Sequence, residues 1–275
     1  MSPVTTVSQV FDSLQKVKAG ASDFCTNFFP VQAKVQSWID HHELFAEERP
    51  GVAFFERKDR DFGHLYFSAG ETALLARELP SIPGSAGVSP ASEIGILSTD
   101  VIGQESGLAP LLSAFESSGF RRHSKLFRLS RKAAVSANTA DLNPEVAFAT
   151  LSDAPAILAL LESSFDKYAD QIPLLYELEE ALAARQIILL RRDGQIAALV
   201  HFETQGFTST VRYWVVAEAF RSQRFGAQLL RHYFAMHPGV RRFVLWVAAA
   251  NENAVQKYAH YGYAPDGLID HVLLK

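Results

Sequence analysis

Across residues 144–275 the apolar positions switch between a period of two and a period of about 3.6, as strands alternating with helices do. EVAFATLS (145–152) alternates as a strand. SDAPAILALLESSF then predicts a helix with Ser152 as N-cap, Pro155 in the first turn and Ile157, Leu158, Leu160, Leu161 and Phe165 along it. A second helix is expected in PLLYELEEALAAR (173–185). QIILLRRDGQIAALVHFE (186–203) reads as a hairpin around Asp193-Gly194, and FTSTVRYWVV (207–216) as a third strand of the same sheet. The following helix places Phe225, Leu229, Leu230, Tyr233 and Phe234 on one face. RRFVLWVAAA (241–250) gives a strand, Asn251 caps a helix with Ala254, Val255 and Tyr258 as its apolar side, and LIDHVLLK (268–275) is a last strand. The order β-α-α-β-β-β-α-β-α-β predicts an α/β protein, a mixed sheet with helices on its faces.

The first half is less regular. GVAFFERK, FGHLYFSA and EIGILSTDVIG read as strands and GLAPLLSAFESSGF as a helix. AFESSGF (114–120) sets Phe115 four residues before Gly119-Phe120, as KYAHYGY (257–263) sets Tyr258 before Gly262-Tyr263. That weak repeat favours a duplicated fold over two unrelated halves. Two stretches read as connectors: the Pro/Gly/Ser-rich LPSIPGSAGVSPAS (79–92), a long loop, and KAAVSANTADLNP (132–144), which ends in Asn-Pro. The expected division is an N-terminal domain at 1–135, a linker at 136–143 and a C-terminal domain at 144–275.

With 275 residues, 48% hydrophobic and 20% charged, the chain can bury a sizeable core without metal or disulfide staples. A net charge of −4 gives no electrostatic case for nucleic acid or an anionic membrane as the main partner. The lone cysteine, Cys25, forms no intrachain disulfide, which fits a reducing compartment. The N-terminus lacks a signal-peptide pattern, and no apolar run approaches the ~20 residues that span a bilayer, so a cytoplasmic protein is expected. His41-His42 reads as a helix surface feature with no third ligand at suitable spacing, so no metal is expected. A homodimer is compatible with the sequence.

RSQRFGAQLL (221–230) is the least ordinary junction, two arginines and a glycine between a β-branched strand and a helix. A helix N-terminus carries unpaired N–H groups and a partial positive charge, and the glycine allows close approach, so the turn suits an anion. Arg221 and Arg224 would add contacts suited to phosphate oxygens. The plainer alternative is an ordinary connection with solvated arginines.

This turn resembles the cofactor signature of the GNAT N-acetyltransferase superfamily, Arg/Gln-x-x-Gly-x-Gly/Ala after a strand ending in Val, with Val216 five residues before Arg221. LWVAAANENAVQKYAHYGY resembles the family's Asn-x-x-Ala-x-x-x-Tyr-x-x-x-Gly-Phe element through Asn251, Ala254, Tyr258, Gly262 and Tyr263. Arg224 stands where the family pattern has its first glycine. The resemblance covers about residues 144–275 and implies a complete C-terminal GNAT domain, with the N-terminal domain a degenerate, cofactor-free copy.

It also implies acetyl-CoA as acyl donor, with no metal. The backbone of Trp214, Val215 and Val216, on a strand splayed from its neighbour, would bind the pantetheine arm and acyl carbonyl. The turn with Arg221, Ser222, Gln223, Arg224, Phe225, Gly226 and Ala227 would hold the pyrophosphate, Asn251 would lie near the pantetheine, and Tyr258 would protonate the departing thiolate. The expected activity is N-acetyl transfer to a primary amine of a small molecule, amino acid or peptide, by direct attack in a ternary complex. Tyr258 as a mere core aromatic is the plainer alternative.

The general base stays open: Trp246 occupies the position of a glutamate found in some members, leaving His201, Glu203, Glu218 or ordered water. FDKYADQIP (165–173), with Asp166, Tyr168 and Asp170, could recognise a cationic amine or be a solvated loop. Where the repeat would place the acid tyrosine, the first half has Phe115. Two other readings remain, a non-catalytic CoA-binding or interaction module and an aminoacyl-tRNA-dependent transferase. The acidic balance speaks against the second of these.

Overall fold

The computed structural model describes residues 1–82, 95–133 and 142–275. The long loop expected at 79–92 lies outside the described residues from 83 onward, and the linker expected at 136–143 lies outside them up to 141. The chain divides into two compact units, Met1–Leu126 with Gly267–Lys275, and Phe127–Asp266.

The first unit runs β1 (Ser2–Pro3), α1 (Val7–Ala19), β2 (Cys25–Thr26), α2 (Gln32–Asp40), β3 (Leu44–Arg49), β4 (Val52–Lys58), β5 (Gly63–Ala69), α3 (Thr72–Glu78), β6 (Leu97–Gln104), α4 (Glu105–Ser117) and the start of β7 (Arg121–Lys132). The strand order is β1-β3-β4-β5-β6, with β2 on β5. Strands β3, β4 and β5 pair antiparallel, while β5 and β6 pair parallel only from Gly63↔Leu97 to Leu65↔Thr99. Beyond that point the carboxamide of Asn27 occupies the opening. Its Nδ2 donates to Leu65 O (3.2 Å) and Asp100 O (2.9 Å), and its Oδ1 accepts from Phe67 N (2.7 Å).

The second unit runs β8 (Ala147–Phe148), α5 (Ala154–Ser164), α6 (Leu175–Ala183), β9 (Ile187–Arg192), β10 (Gln195–Gln205), β11 (Thr208–Val216), α7 (Phe225–Ala235), β12 (Arg242–Ala248), α8 (Glu252–His260) and the start of β13 (Ala264–Leu274). This is the predicted order. Strands β9 to β11 form an antiparallel meander, turning at Asp193-Gly194 with φ of 51° and 75°, the mirror-type turn that suits the strand twist. Both sheet faces are buried, which explains why β9 and β10 read as nearly continuous apolar runs. Leu189, Leu199, Tyr213 and Val215 pack under α5 and α6 with Ile157, Leu161 and Leu178. Leu190, Val200, Val211 and Leu245 pack with Phe225, Leu229 and Tyr233 of α7.

Two boundaries and one strand pairing differ from the simplest expectation. Only Ala147–Phe148 of the strand expected at 145–152 pairs as a strand. A turn of 3-10 helix, Leu151–Asp153, precedes α5 and moves the cap back from Ser152 to Thr150, whose N–H donates to Asp153 Oδ2 (2.8 Å). LIDHVLLK is a strand, but its pairs are Leu268↔Gln104 to Leu274↔Ser98, with β6 of the first unit. Apolar patterning marks a strand and its buried face without naming the neighbour.

Both units follow α-α-β-β-β-α-β-α, and the repeat seen around Phe115 and Tyr258 is conformational too. Phe120 N donates to Phe115 O at 3.1 Å, and Tyr263 N to Tyr258 O at 3.1 Å. Gly119 and Gly262 take φ of 93° and 81°, the left-handed turn that ends each helix.

Candidate functional site

The centre of the second unit is a parting of two parallel strands. Strands β11 and β12 pair from Thr208↔Arg242 to Val211↔Leu245 and then separate, although β11 runs on to Val216 and β12 to Ala248. Ala217 N donates to Ala197 O (2.9 Å), which sets the parity of the β10–β11 ladder. Tyr213 and Val215 therefore pair toward β10, while Trp214 and Val216 turn their N–H and C=O groups into the opening. A bulge at His201/Phe202 makes Arg212 the extra residue of β11, so consecutive Arg212 and Tyr213 side chains interact on the α5–α6 face.

The turn leaving β11 keeps its cationic groups outside. Arg221, Ser222, Gln223 and Arg224 are exposed, and Phe225 and Gly226 are buried at the start of α7. Arg221 reaches only Glu218, at 4.0 Å, and Arg224 has no ion-pair partner among the described residues. Arg224 is the N-cap of α7 at φ 60°, ψ 15°, with no side-chain cap, and Ser222 stands at φ 71°. The residue that departs from the glycine pattern thus keeps a glycine-like backbone. The first N–H groups of α7, from Phe225 through Ala227, receive no cap from the Arg224 side chain.

The indole of Trp214 lies against this turn. A Cβ added at Gly226 would stand 3.0 Å from it and press on the ring. Trp214 also meets Tyr258 (5.4 Å) and Tyr261 (5.5 Å) of α8, and its Nε1 is buried with no partner among the described residues. Asn251 caps α8, accepting from Ala254 N at 3.1 Å. Tyr258 is half-buried, and its hydroxyl has no hydrogen-bond partner among the described residues. Burial, with the negative charge of Asp170, pushes its phenol well above the ordinary value.

On the other face, the loop between α5 and α6 is tied to β11. The Tyr213 hydroxyl lies 2.9 Å from Asp170 O and 2.6 Å from Gln171 O, bonding to the loop's carbonyls. Asp166 accepts from Tyr168 N and Ala169 N, so its carboxylate shapes the loop. Burial opposes the charge of Arg212, yet Glu203, Tyr213 and Glu177 hold it more firmly protonated than usual. Of the residues expected as a general base, Glu203 is exposed and pairs with Arg212 at 3.7 Å, Glu218 is exposed at the turn, and His201 is buried beside Tyr213. Arg212 and the anchoring Tyr213 were not singled out in the sequence. An arginine interrupting the apolar run TVRYWVV is the signal that could have found them. Among the described residues no cluster of His, Cys, Asp or Glu could hold a metal ion, and no helix is long and apolar enough to cross a membrane.

Residues 154–263 match the sequence model of the Acetyltransferase (GNAT) family. No curated protein matches the sequence. The fold is similar to that of a tandem GNAT protein from the clavulanic acid biosynthesis pathway, solved without AcCoA, at 12% identity and a TM-score of 0.62, covering 100% of this chain and 97% of that one. It is also similar to a GCN5-related N-acetyltransferase from Sphaerobacter thermophilus (14% identity, TM-score 0.61, 100% and 94% covered) and to one from Kribbella flavida (16%, 0.56, 88% and 93%). Residues 154–263 are therefore similar to the GNAT family, and the fold of the chain is similar to that of a tandem GNAT protein.

Proposed function

We propose that this protein is an acyl-CoA-dependent N-acyltransferase that transfers acetyl from acetyl-CoA to a primary amine of a small molecule, amino acid or peptide. Residues 144–275 carry the chemistry, and residues 1–135 are a cofactor-free copy of the fold. The observation that carries the reading is the parting of β11 and β12, which leaves backbone groups of Trp214 and Val216 facing an opening between the turn at Arg221–Ala227 and the Tyr258 phenol. The donor set fits the ligand: exposed Arg221 and Arg224 and the N–H groups of α7 suit a pyrophosphate, and the extended edge of β11 suits the amides of a pantetheine arm. Asn251 adds a carboxamide at the start of α8.

In this reading the amine nitrogen attacks the thioester carbonyl directly, a backbone N–H of β11 stabilises the oxyanion, and Tyr258 protonates the leaving sulfur. A phenol held protonated by burial suits a general acid, since it keeps its proton until a thiolate develops beside it. Trp246, standing where some GNAT members carry a glutamate, favours a second reading, a CoA-binding module without turnover. Thiol release from acetyl-CoA with a panel of primary amines separates the two. The enzyme reading expects amine-dependent release that falls about a hundredfold in Tyr258→Phe. Binding of acetyl-CoA with no release for any amine would leave the second.

A further inference from the structure

We infer that Asp170, on the loop between α5 and α6, is the general base that takes a proton from the attacking amine, working opposite Tyr258 at the parting of β11 and β12. This rests on the acyltransferase reading above.

The geometry holds one carboxylate oxygen and frees the other. Asp170 Oδ2 accepts from Asp166 N at 2.9 Å, while Oδ1 has no hydrogen-bond partner among the described residues. The loop cannot easily swing. Its carbonyls at Asp170 and Gln171 are bonded by the Tyr213 hydroxyl, Asp170 N donates to Asp166 O at 2.8 Å, and Gln171 turns the chain through φ 48°. The anchor, Tyr213, is the neighbour in sequence of Trp214, which touches Tyr258. Asp170 is also close enough for its charge to act on the Tyr258 phenol, whose hydroxyl is likewise unpartnered among the described residues. Asp170 is thus tied to β11 through Tyr213, Tyr258 touches the next residue of that strand, Trp214, and each keeps one oxygen with no hydrogen-bond partner among the described residues.

The surroundings set the right protonation. Burial raises the Asp170 carboxyl above its ordinary range and the Asp166 charge adds to this, while the Asp166 N–H and Arg212 oppose it. Glu177 and Glu203 act through Arg212, and Tyr213 and Tyr258 complete the facing groups. A carboxylate whose proton affinity is raised by burial is a better proton acceptor.

An ammonium R–NH3⁺ gives one proton to Asp170 Oδ1, and the freed nitrogen lone pair forms the N–C bond at the thioester carbonyl. The C–S bond then breaks with its electron pair on sulfur, which takes the Tyr258 proton. Of the two protons left on the nitrogen, one restores Tyr258 and the other stays on the amide, and Asp170 releases its own to solvent.

The test uses the full chain, acetyl-CoA and two nucleophiles: ethylamine, protonated near neutral pH, and hydroxylamine, already neutral. Asp170→Asn should lose about a hundredfold in kcat/KM with ethylamine but less than about threefold with hydroxylamine, which needs no base. Asp170→Glu should recover part of the ethylamine rate. The wild-type ethylamine rate should rise with pH through a limb above the ordinary carboxylate range, and Asp170→Asn should lack that limb. Equal losses with both nucleophiles, no loss with either, or a wild type that binds acetyl-CoA yet releases thiol with neither would overturn the assignment. Calorimetric titration with acetyl-CoA tells the two failures apart. If the wild type does not bind, the acyltransferase reading fails; if it binds and the ratios above are not found, Asp170 alone fails.

Discussion

Each half of the chain parts a parallel strand pair, and the two halves treat the opening in opposite ways. In the first unit Asn27 fills it and satisfies the backbone groups that the parting exposes on Leu65, Phe67 and Asp100. In the second unit the corresponding groups of Trp214 and Val216 are left facing the gap. The differences continue around each site. Phe115, fully buried against Phe67 and Phe120, stands where Tyr258 keeps a hydroxyl. Helix α3 begins at Glu71, whereas α7 begins among Arg221 and Arg224. A carboxylate at the helix start competes with a bound phosphate, and arginines welcome it. The fold therefore supplies the opening twice, and a handful of side chains decides whether it can serve a ligand.

The largest effect is expected from removing the filler. Asn27→Leu strands buried donors and acceptors on β5 and β6 and should cost about 3 kcal/mol in urea unfolding, with acetyl-CoA affinity unchanged. If the variant were as stable as wild type, the carboxamide would not be what satisfies the first opening. A change in the second unit has a smaller effect. Arg224→Gly places glycine where φ is already 60° and should raise stability by about 1 kcal/mol, read as a higher thermal midpoint. A lower midpoint would mean that the arginine's contacts outweigh the strain.

The elements of the second unit were legible because their signals are local. The turn at Asp193-Gly194, the apolar face of α7 and the cap at Asn251 each reside within a few residues. The turn at 221–226 was legible as chemistry, but the left-handed backbone that reconciles Arg224 with a glycine pattern is conformational and has no letter of its own. Helix α1 escaped notice because its buried stripe, Val10, Ser13 and Val17, carries a serine at a core position, where Ser13 bonds Glu48. The partner of β13 and the placing of Asn27 between β5 and β6 are long-range facts. Asn27 lies 38 residues from Leu65 and 73 from Asp100, and no periodicity encodes such a meeting. Arg212 became meaningful only through the bulge that turns it to the side of Tyr213 and Asp170.

On the proposed function, the opening in the second unit and the turn beside it hold acetyl-CoA. Isothermal titration of the full chain with acetyl-CoA, CoA and adenosine 3′,5′-bisphosphate, repeated on Arg221→Glu with Arg224→Glu, tests it most directly. Saturable binding of acetyl-CoA is expected, weakened by the double charge reversal roughly tenfold to a hundredfold, about 1.4 to 2.7 kcal/mol. No heat of binding with any of the three ligands, or an affinity indifferent to both reversals, would contradict it.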